Sequence, residues 1–196
     1  MTHEFRVDSV AIDVGLLLQR SIASLHSHLV TRPTGRAVRM AIEAQLAESR
    51  RTSLSLIDLS EVTIIDFSCA DEVVAKLILR FLEEDRPGDA LFVFRGVSQI
   101  HREPIEAVLK RQSLLAVAEV SGGQFELLGS RTQDEDHAWS VLETRGRVGP
   151  AEVEEVFPGS NHRAALYELV LRRVAFEAPE GGGYHALSTL LGGLSG

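Results

Sequence analysis

The chain has 196 residues, of which 44% are hydrophobic and 24% are charged, and these proportions are ordinary for a globular protein. Its formal net charge of −8 argues against a general electrostatic attraction to nucleic acid or to anionic membranes. A single cysteine, Cys69, excludes an internal disulfide and a multi-cysteine metal site within one chain.

The beginning of the chain and its hydropathy pattern bear on where the protein works. The first residues are too polar for a signal peptide, and no apolar run reaches the roughly 18 residues that a membrane span needs. A lone cysteine suits a reducing compartment. We therefore expect a cytoplasmic protein that does not contact a membrane.

The first fifty residues predict a strand and two helices. Residues 4–12 alternate loosely and predict an edge strand, and residues 16–25 favour a helix. Residues 26–31 are compatible with a short strand. Residues 32–35, Arg-Pro-Thr-Gly, predict a turn before a helix with a regular apolar stripe. The apolar run at 14–25 is either a packing helix or the surface of a homodimer.

Residues 54–81 predict a strand, a tight turn and a helix. The short apolar run 54–59 is typical of a buried strand in a parallel or mixed sheet. Apolar residues then recur at helical spacing from 70 to 81, with Asp71 and Glu72 on the opposite, polar side. Glu72 and Lys76 form a favourable i,i+4 pair. Ser68, three residues before Asp71, is interpreted as the N-cap of this helix.

Two short motifs in this stretch resemble those of STAS domains, the fold of bacterial anti-sigma-factor antagonists. They are Asp-Leu-Ser-Glu-Val at 58–62 and Ile-Asp-Phe-Ser-Cys-Ala at 65–70, and Cys-Ala-Asp-Glu at 69–72 is similar to the ending found in a divergent, uncharacterised STAS-like group. The resemblance covers about 29–129 and implies an α/β domain with a mixed sheet. It also implies a protein partner, such as a kinase or an anti-sigma-like regulator. The residues implied as the contact or switch loop are Asp58, Asp66, Phe67, Ser68, Cys69 and Asp71.

One position departs from the antagonist pattern. In those domains the serine directly after the aspartate is phosphorylated, and this chain has Phe67 there. Ser68 aligns with the second serine, which usually caps the helix. We therefore favour a capping role for Ser68 over a phosphorylation switch.

The rest of the first half continues the α/β alternation. A charged turn at 83–89 precedes a strand at 90–94, and a helix is predicted at 103–112 with Pro104 in its first turn. Strands are predicted at 115–120 and 124–128. This order predicts a sheet covered by helices, and Gly-Val-Ser at 96–98 matches a STAS feature.

The last third of the chain predicts a small α+β domain. Polar residues 130–136 are interpreted as a linker between a domain at 1–129 and a domain at 137–196. Three short helices, the third capped by Asn161, precede strands at 174–177 and 184–190 that flank a Gly-rich turn. This architecture resembles a winged helix-turn-helix domain over about 134–191.

The winged-helix resemblance implies contact with double-stranded DNA through the third helix and the wing. The candidates for this contact are Arg145, Arg147, Asn161, His162, Arg163, Tyr167, Arg172, Arg173 and His185. From Arg131 onward, however, six basic residues face ten acidic ones. Because DNA-binding domains usually carry a basic stripe, this balance favours a protein partner over DNA.

No pattern typical of catalysis occurs. A nucleophile elbow, a Walker A loop and an HExxH helix are all missing, and His26 and His28 lack a third ligand at a useful spacing. Cys69, early in its helix, is either a redox-sensitive thiol or a small buried side chain. We expect a non-enzymatic regulator without a cofactor or metal. The alternatives are a sequence-specific DNA-binding regulator, and a small-ligand or nucleotide sensor with its site near Asp58, Asp66 and Gly96.

Overall fold

A computed structural model of the chain describes residues 7–21, 28–47, 51–121 and 123–192. The strands are β1 (Asp8–Asp13), β2 (His28–Leu29), β3 (Ser53–Asp58), β4 (Ile64–Ile65), β5 (Ala90–Arg95), β6 (Leu115–Ser121), β7 (Gln124–Gly129), β8 (Arg147–Val148), β9 (Ala175–Ala178) and β10 (Gly183–Ala186). The helices are α1 (Val14–Ser21), α2 (Arg32–Leu46), α3 (Phe67–Ala70), α4 (Leu77–Leu82), α5 (Gln99–Arg111), α6 (Gln133–Arg145), α7 (Val153–Val156), α8 (Ser160–Leu171) and α9 (Leu187–Gly192).

Some predictions fall on parts of the chain that the structure does not describe. They are the start of the first predicted strand at 4–6, the end of the first predicted helix at 22–25, and His26.

The protein is a mixed α/β protein built on a five-stranded sheet with the strand order β1-β3-β5-β6-β7. The first four strands in this order are parallel, and β7 is antiparallel to β6. The predicted strands at 54–59, 90–94, 115–120 and 124–128 are therefore confirmed to within two residues. A two-stranded parallel sheet, β2-β4, and a three-stranded antiparallel sheet, β8-β10-β9, complete the strand pairing of the described residues.

Both faces of the main sheet are buried, each against a different part of the chain. Side chains alternate between the faces along each strand, so that Phe92 and Phe94 of β5 join one apolar cluster while Leu91 and Val93 join the other. The first cluster includes residues of α2, α4 and α5. The second is completed by the C-terminal segment 138–187. Burial on both faces explains why these strands read as continuous apolar runs.

The predicted linker at 130–136 is mostly helical. Helix α6 begins at Gln133, because Thr132 and Glu135 form a capping box: the amide of Glu135 donates to Thr132 Oγ1 at 3.2 Å, and the amide of Thr132 donates to Glu135 Oε2 at 2.7 Å. Only residues 130–132 remain between β7 and α6. The division into two domains stays a prediction, but the C-terminal segment packs directly on the sheet.

Two predictions in the first half were wrong about where a helix begins. The predicted turn at 32–35 is the first turn of α2, because Thr31 caps the helix and Pro33 fits its first turn, which needs no amide donor there. Helix α5 begins at Gln99 rather than near residue 103, and Pro104 lies inside it. The amide of Ser98 donates to His101 Nδ1 at 3.3 Å and supports the earlier start.

Two boundaries in the C-terminal segment also differ from the prediction. Gly159, not Asn161, precedes α8 as its N-cap, and its positive φ of 94° suits glycine. The predicted strand at 184–190 ends at Ala186, and α9 begins at Leu187. Among the described residues, no helix is both long and apolar enough to cross a membrane.

Arg172 is expected to be a main connection between the C-terminal segment and the sheet. Its guanidinium donates to Glu135 Oε1 at 2.6 Å and to the carbonyls of Ser113 and Ser130 at 2.8 and 2.7 Å. Arg172→Ala should lower the free energy of unfolding by about 2–4 kcal/mol, because buried Glu135 loses its cation. Urea unfolding followed by circular dichroism measures this loss.

Arg145, exposed at the end of α6, offers a matched control for that measurement. Arg145→Ala should change stability by less than about 0.5 kcal/mol. Equal unfolding midpoints for the Arg172 and Arg145 variants would contradict the assigned role of Arg172.

Candidate functional site

The predicted switch loop is the capped beginning of a helix. Asp66 is the N-cap of α3, and its Oδ1 accepts hydrogen bonds from the amide of Cys69 at 2.8 Å and from Ser68 Oγ at 2.9 Å. The interpretation of Ser68 as the cap was therefore wrong, because the carboxylate two residues earlier takes that role. Ser68 lies inside the first turn, half-buried, and Phe67 is the first helical residue.

Asp58 closes a turn at the end of β3. Its Oδ1 accepts from the amide of Ser60 at 2.8 Å. Ser60 in turn lies directly against Gly96, where an added Cβ would be 2.6 Å from the Ser60 nitrogen. The Ser60 backbone therefore fills the space beside the Cα of Gly96, and glycine is needed at this position.

Cys69 is buried and has the opposite electrostatics from a reactive thiol. Burial and the nearby Asp66 carboxylate raise the pKa of its thiol to about 11, and Sγ donates to the carbonyl of Thr31 at 2.9 Å. A redox-sensitive thiol usually has a depressed pKa, so burial and the raised pKa favour the interpretation of Cys69 as a small buried side chain.

Exposed apolar side chains lie on the elements that meet at the beginning of α3. Strand β2 pairs with β4, and the amide of Asp66 donates to the carbonyl of Leu29, so the residues that follow both strands are neighbours. Helix α5 packs against β4 and α3. Phe67 is 54% exposed and Ile100 is 65% exposed. We name this surface the apolar edge, and its members are Val30, Ile64, Phe67 and Ile100.

Asp71 and Glu72 are buried, although helical periodicity predicted both on the solvent side. Arg32 Nη1 donates to Asp71 Oδ2 and to Glu72 Oε1, both at 2.8 Å. Arg111 Nη2 donates to Asp71 Oδ1 at 2.5 Å. The predicted Glu72–Lys76 pair is confirmed. The two carboxylates are buried because cations from other helices cover them.

Asp71 and Glu72 are called the acidic pair below. Helix α2 approaches this pair closely because Gly35 has no side chain. An added Cβ at Gly35 would be 2.9 Å from the Cα of Cys69 and 3.1 Å from the Cβ of Glu72. This contact brings Arg39 over Glu72. The Nε of Arg39 donates a hydrogen bond to Glu72 Oε2 at 3.2 Å. The acidic pair begins a π-helical segment, Asp71–Lys76, that joins α3 to α4. Such segments are frequent at functional sites.

The cations decide the ionisation of the acidic pair. Burial alone would raise the pKa of both carboxyl groups, but the hydrogen bonds and charges of the surrounding cations outweigh it. For Asp71 these are the hydrogen bond from Arg32 and the charges of Arg111 and Lys76, and its pKa is held below its usual value of 3.8. The bonds from Lys76, Arg32 and Arg39 likewise hold the pKa of Glu72 below 4.5.

Several predicted DNA contacts are used inside the protein. Arg172 makes the bonds described above, and Arg173 donates to the carbonyl of Ala90 at 3.0 Å and to Asp89 Oδ1 at 2.5 Å. Arg147 donates twice to the carbonyl of Gly182 in the predicted wing. Their guanidinium groups therefore hold the C-terminal segment together and onto the sheet.

The predicted histidine contacts also have neighbours in the protein. The ring of His162 lies 5.1 Å from that of His137, and its Nδ1 is 3.0 Å from the carbonyl oxygen of Pro158. Burial lowers the pKa of His185, whose ring lies beside that of Phe176. A neutral imidazole at His185 offers no charge to a phosphate.

The exposed side of α8 is apolar and acidic rather than basic. Ala164, Tyr167, Glu168 and Leu171 are exposed at helical spacing, and Leu171 is 68% exposed. Tyr167 lies beside Tyr184 of β10, with ring centroids 6.0 Å apart. Arg145 and Asn161 are also exposed, and Arg163 is half-buried. No arginine is therefore among the exposed residues of α8.

Within the described ranges, no group of three or more His, Cys, Asp or Glu side chains lies together as metal ligands. The residues that sequence reasoning missed are instead cationic. Arg32, Arg36 and Arg39 follow each other at helical spacing, and this basic stripe beside an apolar stripe was the available signal.

Comparison with known proteins gives no relative. No protein-family model matches the chain, and neither a curated protein nor a solved structure shows significant similarity to it. The STAS-like and winged-helix resemblances therefore stay predictions from the sequence.

The acidic pair should make stability depend on pH in a defined direction. Because both folded pKa values are depressed, the contribution is present above the usual values of 3.8 and 4.5 and is lost as pH falls below them. Urea unfolding from pH 6 to pH 3 measures it. Asp71→Asn should show a shallower loss over this range than the wild type. Identical pH profiles for the two proteins would contradict the assignment.

Proposed function

We propose that the chain is a non-enzymatic regulatory protein whose STAS-like half binds another protein through the apolar edge. The partner implied by the STAS resemblance is a kinase or an anti-sigma-like regulator. The observation that carries the proposal is Phe67, which is exposed at the first position of a capped helix. It occupies the place of the antagonists' phosphorylated serine.

The chemistry of the apolar edge supports protein contact. Single exposed apolar residues are normal, but neighbouring ones mark interaction surfaces. Aromatic side chains at the centre of such a surface often carry much of the binding energy. Phe67 has Val30 and Ile64 on the adjoining strand ends, and Ile100 projects from the helix packed beside it. A partner with a complementary apolar pocket would bury this ring.

The polar groups of the same region support a role without catalysis. Asp66 is engaged in helix capping and Asp58 in closing a turn. The Cys69 thiol is buried and has a raised pKa, so it is not ionised near neutral pH. None of the three is poised as a nucleophile or a general base.

The C-terminal segment is proposed to be a winged-helix module that contacts protein rather than DNA. Its order of α6, β8, α7, α8, β9 and β10, with β10 between β8 and β9, supports the winged-helix interpretation. The exposed face of α8, with Tyr167, Glu168 and Leu171, would meet phosphates with apolar and acidic groups. Such a face suits a protein surface.

Phe67→Ser tests the proposed contact. The wild-type protein is used as bait in extract from cells that express it naturally, and the captured protein is identified, purified and titrated by calorimetry. Phe67→Ser should weaken the Kd of this purified partner by about thirtyfold, because it removes the central ring. Met40 is also exposed and apolar but lies on α2, which contributes no residue to the apolar edge, so Met40→Ser is the matched control. Equal affinity for the two variants would contradict the proposal.

Fluorescence anisotropy with pooled duplex DNA tests the preference for protein over DNA. Because the exposed face of α8 is apolar and acidic, we expect no binding that weakens steeply between low and physiological salt. Salt-sensitive binding that Arg145→Ala and Arg163→Ala reduce would instead support the DNA-binding alternative.

A further inference from the structure

A concave pocket lies where α2 crosses the π-helical segment. Its volume is about 410 Å³, which is within the range of small-molecule sites. The residues that line it are Arg32, Pro33, Arg36, Arg39, Glu72 and Lys76. The pocket lies outside the apolar edge, and the proposed function does not use it.

The charge of the pocket opposes that of the whole chain. Four of its six lining residues are cations and one is a carboxylate, whereas the chain carries a net charge of −8. Three of the four cations are held in place, because Arg32, Arg39 and Lys76 all donate to Glu72. Side chains fixed in this way lose less conformational entropy when they bind a ligand.

The arginines of the pocket have N–H donors that are unpaired within the described part of the chain. Arg32 bonds to the acidic pair through Nη1 alone, so its Nε and Nη2 have no partner among the described residues. Arg39 uses Nε for Glu72 and Nη1 for Glu43, and its Nη2 is likewise unpaired within the described part of the chain. Arg36 is exposed and makes no ion pair with any described carboxylate.

We infer that this pocket binds a small molecule that carries phosphate groups. The guanidinium fork matches the geometry of phosphate oxygens, and several forks around one cavity suit a ligand with more than one phosphate. Glu72 and Asp71 orient the arginines and leave a cationic surplus in the pocket wall. The concave shape and volume favour a small ligand over a nucleic-acid backbone.

Isothermal titration calorimetry with the full chain tests the inference. Sodium pyrophosphate and ATP are titrated without divalent cations, with potassium chloride at matched ionic strength as the reference. We expect both phosphate compounds to bind the wild type. Arg36→Gln should weaken their Kd by about tenfold, because it removes a charged donor. Arg36 makes no ion pair with the described carboxylates, so this variant should fold normally.

Arg145→Gln is the matched control, because Arg145 is an exposed arginine outside the pocket. It should bind both compounds as the wild type does. Tighter binding of ATP than of pyrophosphate would extend recognition to the nucleoside, and equal binding would limit it to the phosphates. Either result supports the inference.

Three results would overturn it. They are no heat beyond that of chloride, equal loss in the Arg36 and Arg145 variants, and duplex DNA binding that Arg36→Gln abolishes while neither phosphate compound binds. Phe67 is unchanged in Arg36→Gln, so failure here is distinguishable from failure of the proposed function.

Discussion

Two adjacent buried carboxylates constrain the arrangement of the N-terminal helices. Asp71 and Glu72 are almost completely buried, and a buried charge is tolerated only beside an opposite charge. The cations come from α2, from α5 and from the π-helical segment itself. Helix α2 reaches its place because Gly35 permits a close approach. The same packing sets the beginning of α3, where Phe67 is exposed, and the cationic pocket beside it.

The C-terminal segment is tied to the sheet by apolar and polar contacts together. The second face of the sheet is buried only because this segment covers it, and Arg172 and Arg173 bond to the carbonyls at the ends of the strands. Arginines that would mark a DNA-binding surface therefore serve the internal packing. The residues of α8 that remain exposed form an apolar and acidic face. This face and the apolar edge both expose large apolar side chains.

The strands of the main sheet could be predicted from local sequence pattern, because strands buried on both faces appear as continuous apolar runs. The helix at 70–81 could be predicted because its apolar residues recur at helical spacing. The burial of Asp71 and Glu72 could not be predicted in this way, because their partners Arg32 and Arg39 lie more than 30 residues away in the sequence. The predicted start of a helix was wrong where two residues could each cap it, as Ser68 and Asp66 could. Of the apolar edge, only Phe67 belonged to the predicted switch loop, and the pocket depends on how two helices cross.

Site-specific photo-crosslinking tests the central claim most directly, because it records a contact in the intact cell. A photoreactive phenylalanine analogue replaces Phe67 in one protein and Met40 in another, and both are irradiated in cells that express the chain naturally. The account predicts a discrete crosslinked protein from position 67 that position 40 does not give. The same products from both positions, or none from position 67, would contradict it.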